Sequence, residues 1–522
     1  METKQVGRIL SVAGSQMVVD LDESTTDWRS IRIGSIVKVS GDQRDVVATV
    51  SEVNVAPNDP SKHYLVADLL GELRRDGAGP IDFTRGVSIY PVPNDVATTA
   101  TEDDLRAIYG EQTNENVAVG TLHHDPDRQA FVITDKLLGR HFAILGTTGA
   151  GKSCAVTVVL SSILEQHPDA HIILLDPHNE YTRAFGDIAN IINVDNLRLP
   201  LWMLDFAEAS RLLIRSGTES DQQSQSLILK DAMTAARNVY NAGDPNLASI
   251  TVDTPVPYRT YELIRSINEQ MGRLSKPDTA YPYLRLRERI TSLLNDPRFA
   301  FFFSEEDDIL ESIMSQLMRI PVGGKPLTIV DLSGVPSEVT DVIVSTISRS
   351  LFHFAVWSER ESRPPILLVC EEAQRYVPAY EGLGFEETVR IITQIAKEGR
   401  KYGISLALIT QRPTELSLPV LSQCGTVFAL RLGSEADQQF IAKTLPNAAR
   451  EMLASLPSLP MQQAIVSGEG VVVPMRIRFH DLPPENRPRS EGAEFSKVWR
   501  TDDGDDDLIA RGIRRWRNRI RT

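Results

Sequence analysis

The stretch from His141 to Val156, HFAILGTTGAGKSCAV, restricts what this chain can fold into more than any other. Phe142 to Leu145 read as a buried strand, and Gly146 to Ser153 fit the phosphate-binding pattern GxxxxGK[ST]. Across Gly146, Thr147, Thr148, Gly149, Ala150 and Gly151 the backbone is free to curl so that successive N–H groups face phosphate oxygens. Lys152, Ser153 and Cys154 then open a helix whose positive N-terminal end adds to the same field. Lys152 is placed to reach the β and γ phosphates, and Ser153 to ligate Mg²⁺. A Gly-rich turn into a core helix is the plainer alternative. The strand before, the helix after and the match at every fixed position favour a nucleotide site.

Three further apolar runs end in polar residues, and in open α/β sheets ligands sit at the C-terminal ends of the strands. Ala170 to Leu175 ends in Asp176-Pro-His-Asn-Glu-Tyr181, which offers Asp176 and Glu180 to a magnesium ion's water shell, or else only a turn with a capping Asp. Ile366 to Cys370 ends in Glu371-Glu372-Ala-Gln374. Paired carboxylates at a strand end, downstream of a phosphate loop, form the second signature of nucleotide hydrolysis: Glu371 to hold Mg²⁺ through water, Glu372 to orient or deprotonate the attacking water. Ile404 to Ile409 ends in Thr410-Gln411-Arg412-Pro413, where Gln411 is placed to sense the γ-phosphate or position the water. Between these two runs, Glu386 to Lys401 reads as a helix that offers Arg400 and Lys401 just before its final turn.

These runs predict an α/β core with additions around it, and 522 residues suit roughly two to four domains. Residues 1–95 show short β-rich runs, Arg8 to Val12, Met17 to Leu21, Ile36 to Val39, Val46 to Val53 and Tyr64 to Leu70, broken by Gly, Asp and Asn. That pattern predicts a small β-barrel of five or six strands, without a catalytic constellation. Residues 96–204 carry the first part of the core, after a helix-like Thr101 to Tyr109. Over 205–320 amphipathic stretches take over, Phe206 to Ile214, Gln225 to Asn241, Pro257 to Met271, Tyr283 to Asn295 and Ile309 to Met318, and read as a helical insertion. Its Arg285, Arg287, Arg289 and Arg298 face either a polyanion or, with acids between them, solvent. Residues 321–482 return to the sheet with Leu327 to Leu332, Thr426 to Leu430 and a hairpin of Gln463 to Ser467 with Val471 to Phe479. In the tail, 483–522, Leu508, Ile509, Ile513, Trp516 and Ile520 form one helical stripe amid arginines. Such a stripe suits a membrane surface, a nucleic acid or a neighbouring subunit.

Seventy acidic against 55 basic residues, a formal charge of −15, argue against coating nucleic acid with the outer surface but leave a local basic channel open. Cys154, Cys370 and Cys424 are too few and scattered for a disulfide framework or a zinc site. No run of 18 apolar residues occurs and Met1 to Leu10 carries charges, so the expectation is a cytoplasmic protein with no membrane partner.

Gly139-Arg-His-Phe-Ala-Ile-Leu-Gly-Thr-Thr-Gly-Ala-Gly-Lys-Ser153, Leu175-Asp-Pro-His-Asn-Glu-Tyr181, Val369-Cys-Glu-Glu-Ala-Gln374, Glu398-Gly-Arg-Lys-Tyr-Gly403 and Thr410-Gln-Arg-Pro413 together resemble the HerA family of hexameric DNA-translocating ATPases. The resemblance covers nearly the whole chain. It implies a RecA-like P-loop NTPase core with an N-terminal β-barrel, an inserted helical bundle and a C-terminal brace reaching a neighbour. It also implies a homohexamer with ATP and Mg²⁺ between subunits, duplex DNA in a central channel and a partner docked on the barrel. Carried over by motif, Lys152 and Ser153 bind nucleotide and Mg²⁺, Glu372 is the catalytic base and Gln411 the sensor. Arg400 is similar to the family's arginine finger, donated across the interface, and Arg140 to a second arginine at the γ-phosphate. Two positions depart from common patterns: Glu371 stands where many P-loop enzymes carry Asp, and Gln374 where the family often shows His. The implied function is an ATP-driven DNA translocase or helicase working with a nuclease in DNA end processing or repair. The alternative is the ATPase scaffold of a bacterial anti-phage complex that assembles and activates an effector enzyme.

Overall fold

The computed structural model describes residues 4–21, 31–41, 44–56, 59–74, 81–215, 217–240, 249–274, 277–303, 310–380, 382, 385–444, 452–488, 496, 499 and 507–518. The N-terminal strands are β1 (Gln5–Ala13), β2 (Gln16–Leu21), β3 (Ile36–Val39), β4 (Arg44–Ala56), β5 (Asp59–Arg74), β6 (Asp82–Arg85) and β7 (Val96–Thr99). They pair in the order β2-β1-β7-β3-β4-β5-β6, and β2 also pairs with β5, so six strands close a barrel and β6 extends from its wall. Met17, Val19 and Leu21 alternate inward along β2 and meet Val6, Ile9, Val37, Ala48, Leu65 and Ala67 in the barrel's interior. β7 lies beyond residue 95, the expected end of the barrel, yet it bridges β1 and β3. Four residues are too few to show a period of two, so its sequence carried no strand signal.

The central sheet contains β8 (Asn116–Leu122), β9 (Gln129–Ile133), β10 (Phe142–Leu145), β11 (His171–Asp176), β12 (Ala189–Ile192), β13 (Leu327–Asp331), β14 (Ile366–Cys370), β15 (Ile404–Thr410), β16 (Thr426–Ala429), β17 (Gln463–Gly468) and β18 (Met475–Phe479). Its order is β12-β13-β11-β14-β15-β10-β16-β17-β18-β8-β9. Pairs from β12 through β16 are parallel, and those from β16 to β9 antiparallel. Every residue of β10, β14 and β15 is buried, as expected of parallel strands covered on both faces. Phe142 and Ile144 point to one face, packed with the helix Lys152–Gln166, while Ala143 and Leu145 point to the other.

That second face packs on the helix Ser337–Trp357 and on the helices that follow β12. These are Phe206–Leu213, Glu219–Tyr240, Thr260–Gly272, Tyr281–Leu294 and Leu310–Met318, whose apolar stripes share one core with the sheet. Ser337–Trp357 is long and apolar enough to cross a bilayer, but most of it is buried against the sheet. Among the four arginines of the insertion, Arg285 bonds Asp221 at 2.8 Å, Arg287 Asn268 at 3.3 Å, Arg289 the Leu212 carbonyl at 3.4 Å and Arg298 Asp296. Ile36, Val47, Leu70 and Leu73 of the barrel belong to the apolar cluster on the first face, so the barrel is fused to the core rather than tethered to it.

Residues 489–522 form a separate compact unit. Its helix Leu508–Asn518 exposes Leu508, Ile509 and Trp516. Ile520, the last residue of the expected stripe, lies outside the described residues.

Candidate active site

The strand order decides what meets at the C-terminal edge of the sheet. β11, β14, β15 and β10 are successive neighbours, so Asp176, Glu371, Gln411 and the phosphate loop leave the sheet side by side, about 4.8 Å from strand to strand. After β10, a Cβ on Gly146 would stand 2.8 Å from the Cβ of Leu430, so only glycine passes there. Gly151 has a φ of 96°, a left-handed conformation that turns the chain into the helix Lys152–Gln166. The Thr147 N–H donates to the Arg431 carbonyl and the Ala150 N–H to that of Thr147. The N–H groups of Thr148, Gly149, Gly151, Lys152 and Ser153 find no acceptor among the described residues and remain free for an anion.

Lys152 is buried, with Glu371, Glu372 and Glu180 around its ammonium. Burial lowers the lysine's pKa and the three carboxylates oppose that shift. Ser153 Oγ donates to Glu180 Oε2 at 2.5 Å. Glu371 accepts a hydrogen bond from the Tyr181 hydroxyl at 2.8 Å, and burial first of all pushes its carboxyl well above the usual range. Glu372 holds a φ of 53°, a strained left-handed value for a residue with a side chain. Its Oε1 accepts from Gln411 Nε2 at 2.6 Å and its Oε2 from Gln374 Nε2 at 2.5 Å. Gln411 in turn accepts from the Thr148 hydroxyl, which ties the expected sensor to the phosphate loop.

Asp176 behaves differently from the expected metal group. It is fully buried, its Oδ1 accepts from the His178 N–H at 3.2 Å and its Oδ2 from the Tyr181 N–H at 3.0 Å, so its carboxylate is engaged by its own turn. Glu180, four residues on, is the acid that meets Ser153.

Arg140 and Arg400 lie at the opposite edge. Arg140 precedes β10 and pairs with Glu469 at 2.5 Å, both side chains nearly half exposed. Arg400 is exposed in the turn Gly399–Tyr402 before β15, on the wall of a cavity of about 680 Å³ with Asp135, Gly139, His171 and Ser405. β15 spans seven residues, roughly 23 Å at 3.3 Å per residue, so a single chain does not bring either arginine to its own phosphate loop.

Two residues were quoted in the motifs without a role. His141, buried, accepts the Leu406 N–H on Nδ1 at 2.9 Å, which leaves Nε2 to donate to the Ala396 carbonyl at 3.0 Å. It thereby ties the helix Glu386–Glu398, which leads into Arg400, to the strand beside the phosphate loop. Tyr181, fully buried, orients Glu371. The signal for His141 was a polar side chain at the head of an apolar run, and Tyr181, closing a polar turn, carried none.

Residues 117–351 match the family model described as helicase HerA, central domain. A Pyrococcus furiosus protein named DNA double-strand break repair helicase HerA is 25% identical over 415 residues, 73% of this chain and 72% of that protein. A Methanocaldococcus jannaschii protein named probable DNA double-strand break repair helicase HerA is 23% identical over 497 residues, 86% and 91% of the two chains. Among solved structures, VirB4 of Thermoanaerobacter pseudethanolicus superposes with a TM-score of 0.50 at 16% identity over 72% of this chain and 99% of its own, a likeness of fold. With a phosphate loop, paired carboxylates and Gln411 gathered on one sheet edge, this chain is an ATPase similar to the HerA helicases, and its residues 117–351 match their central domain.

Proposed function

We propose that this ATPase works as a ring of six copies that draws duplex DNA through its centre and acts with a partner nuclease, docked on the barrel, in DNA end processing or repair. The observation that carries the reading is the division of the site: phosphate loop and acids on one sheet edge, Arg140 and Arg400 on the other. A neighbouring copy is the simplest source of the missing positive charge. Relatives named as DNA double-strand break repair helicases support the DNA-directed role. In the same reading the helices after β12 are the inserted bundle, and the exposed Leu508, Ile509 and Trp516 make the C-terminal helix a brace for a neighbour.

The free N–H groups and Lys152 bind the triphosphate of ATP. Three carboxylates around one ammonium leave the pocket short of positive charge, which fits a divalent cation held by Ser153 and Glu371, with Glu180 taking the place expected for Asp176. A Mg²⁺ ion held by these residues would supply positive charge to the triphosphate. Glu372 accepts the proton of the attacking water, and Gln411 links that carboxylate to the loop holding the γ-phosphate. Arg400 and Arg140 of the next copy stabilise charge as it spreads over the γ-phosphoryl oxygens.

The test combines particle mass in solution with ATPase rate against duplex DNA at rising salt. A hexamer whose rate rises with DNA and loses that response as salt increases supports the motor. A monomer, or a rate indifferent to DNA, overturns it. Activation of a bound effector enzyme without DNA would select the anti-phage scaffold instead.

A further inference from the structure

We propose that Gln374 is a positioning residue for the catalytic base, holding the Glu372 carboxylate in one orientation. The inference rests on the reading of Glu372 as that base. Glu372 leaves β14 in a left-handed conformation, and the short turn Ala373–Arg375 brings Gln374 back against it. Which end of the amide faces Glu372 follows from a third residue. Thr410 is fully buried at the end of β15, and its hydroxyl oxygen accepts the Arg412 N–H at 3.0 Å. Its single hydrogen is donated to Gln374 Oε1, at 2.6 Å. With its oxygen so engaged, Gln374 must turn its NH₂ to Glu372 Oε2. Gln411 is fixed in the same sense, since the Thr148 hydroxyl donates to its oxygen and its NH₂ meets Glu372 Oε1.

Two amide donors grip one carboxylate, one on each oxygen. They also fix the plane of the carboxylate, so its remaining lone pairs point in one direction. Gln411 is tied to the phosphate loop through Thr148, whereas Gln374 is tied to the sheet through Thr410. Gln374 is thus the constant half of the pair. A neutral histidine offers the same chemistry in another shape, an N–H on one side of the ring and an acceptor nitrogen on the other.

The experiment compares Gln374→Met, Gln374→His, Glu372→Gln and the double variant Gln374→Met with Glu372→Gln, in the full-length protein. Readouts are kcat, KM for ATP, affinity for a fluorescent ATP analogue and, for the slow variants, residual turnover followed to completion. Gln374→Met is expected to lower kcat by about 10²-fold, the order that misplacing a catalytic group costs, with KM and analogue affinity unchanged within about twofold. Gln374→His is expected to recover most of that loss. In the Glu372→Gln background the methionine should cost nothing more, because the group it positions is gone. Unchanged kcat in Gln374→Met, or a further loss of similar size in the double variant, overturns the inference while leaving Glu372 as the base. Wild-type turnover in Glu372→Gln overturns the base itself and this inference with it.

Discussion

The two edges of the central sheet are built from the same strands and by opposite rules. At the C-terminal edge the side chains of the site are bound to one another: Ser153 to Glu180, Tyr181 to Glu371, and Thr148 through Gln411, Glu372 and Gln374 to Thr410. Most of these groups are buried, in a medium where hydrogen bonds and charges act strongly. At the N-terminal edge, Arg140 and Arg400 stand in water, one in a half-exposed ion pair and the other on a cavity wall. The contrast teaches that preorganisation and availability are separated along the strands. In the proposed reading, groups that must be in place before reaction are locked, and the cations that come from a neighbour are left free to change partners.

The largest expected effect tests that division directly. Arg400→Ala should still assemble and bind ATP yet lose turnover by about 10³-fold, the scale of a removed arginine finger. Mixing it with Lys152→Ala, once subunit exchange is shown, should restore part of the activity, because some interfaces then join an intact phosphate loop to an intact arginine. Lys152→Ala alone should lose nucleotide affinity. No recovery at any ratio, with wild-type doping giving a loss proportional to the variant fraction, would place Arg400 in its own subunit's site and erase the contrast between the edges.

At the locked edge, Glu372→Gln should retain ATP binding and lose turnover by about 10²-fold or more, since the shape stays and the proton acceptor goes. Loss of binding together with turnover would show that the network serves to build the pocket, not the chemistry.

Much of this was readable before any coordinates, and the reason is physical. Gly146 to Ser153, Glu371-Glu372 and Thr410-Gln411 each follow a short run of buried apolar residues, so chemistry and strand signal coincide in sequence. What stayed hidden depends on pairing at long range. β7 and β12 are four-residue strands with no periodic pattern, and the β8–β9 hairpin has partners more than 300 residues away in β18. The helix Ser337–Trp357 mixes apolar with polar residues and is still apolar enough to cross a bilayer, so its identity as a core element follows only from what covers it. Asp176 was the expected metal group and Glu180 is the acid that meets Ser153, across a turn whose Asn179 holds a φ of 56° that sequence does not show.

A smaller effect is expected at His141, which joins the edges by bonding Leu406 and Ala396. His141→Leu leaves a buried N–H and a carbonyl unpaired and should cost about 1–3 kcal/mol. Burial lowers the pKa of His141, opposed by its bond to the Ala396 carbonyl, so the folded protein keeps the ring neutral while the unfolded chain takes up a proton below its ordinary value of 6.5. A depressed folded pKa in a base means stability that is present above 6.5 and is lost as pH falls below it. Thermal midpoints of the variant and wild type should therefore converge between pH 7 and pH 5.5 or so. A gap that widens on acidification would show that the ring is charged in the fold.

The smallest effect should come from Glu469, the partner of Arg140. Both side chains are nearly half exposed, so water screens the pair and the two long side chains give up entropy to hold it. Pairs of this kind contribute roughly 0–1 kcal/mol, and Glu469→Gln should move the thermal midpoint by no more than about 2 °C. The weakness is what the proposed role requires, because an arginine that must leave for a neighbour's phosphate cannot be held tightly at rest. Raising salt from 50 to 500 mM should shrink even that difference, since exposed charges are screened over a few ångströms at high ionic strength. A salt-insensitive loss of several degrees would mean that Glu469 anchors Arg140 as a structural latch. Arg140 would then belong with the locked groups, and Arg400 alone would remain available to a neighbour.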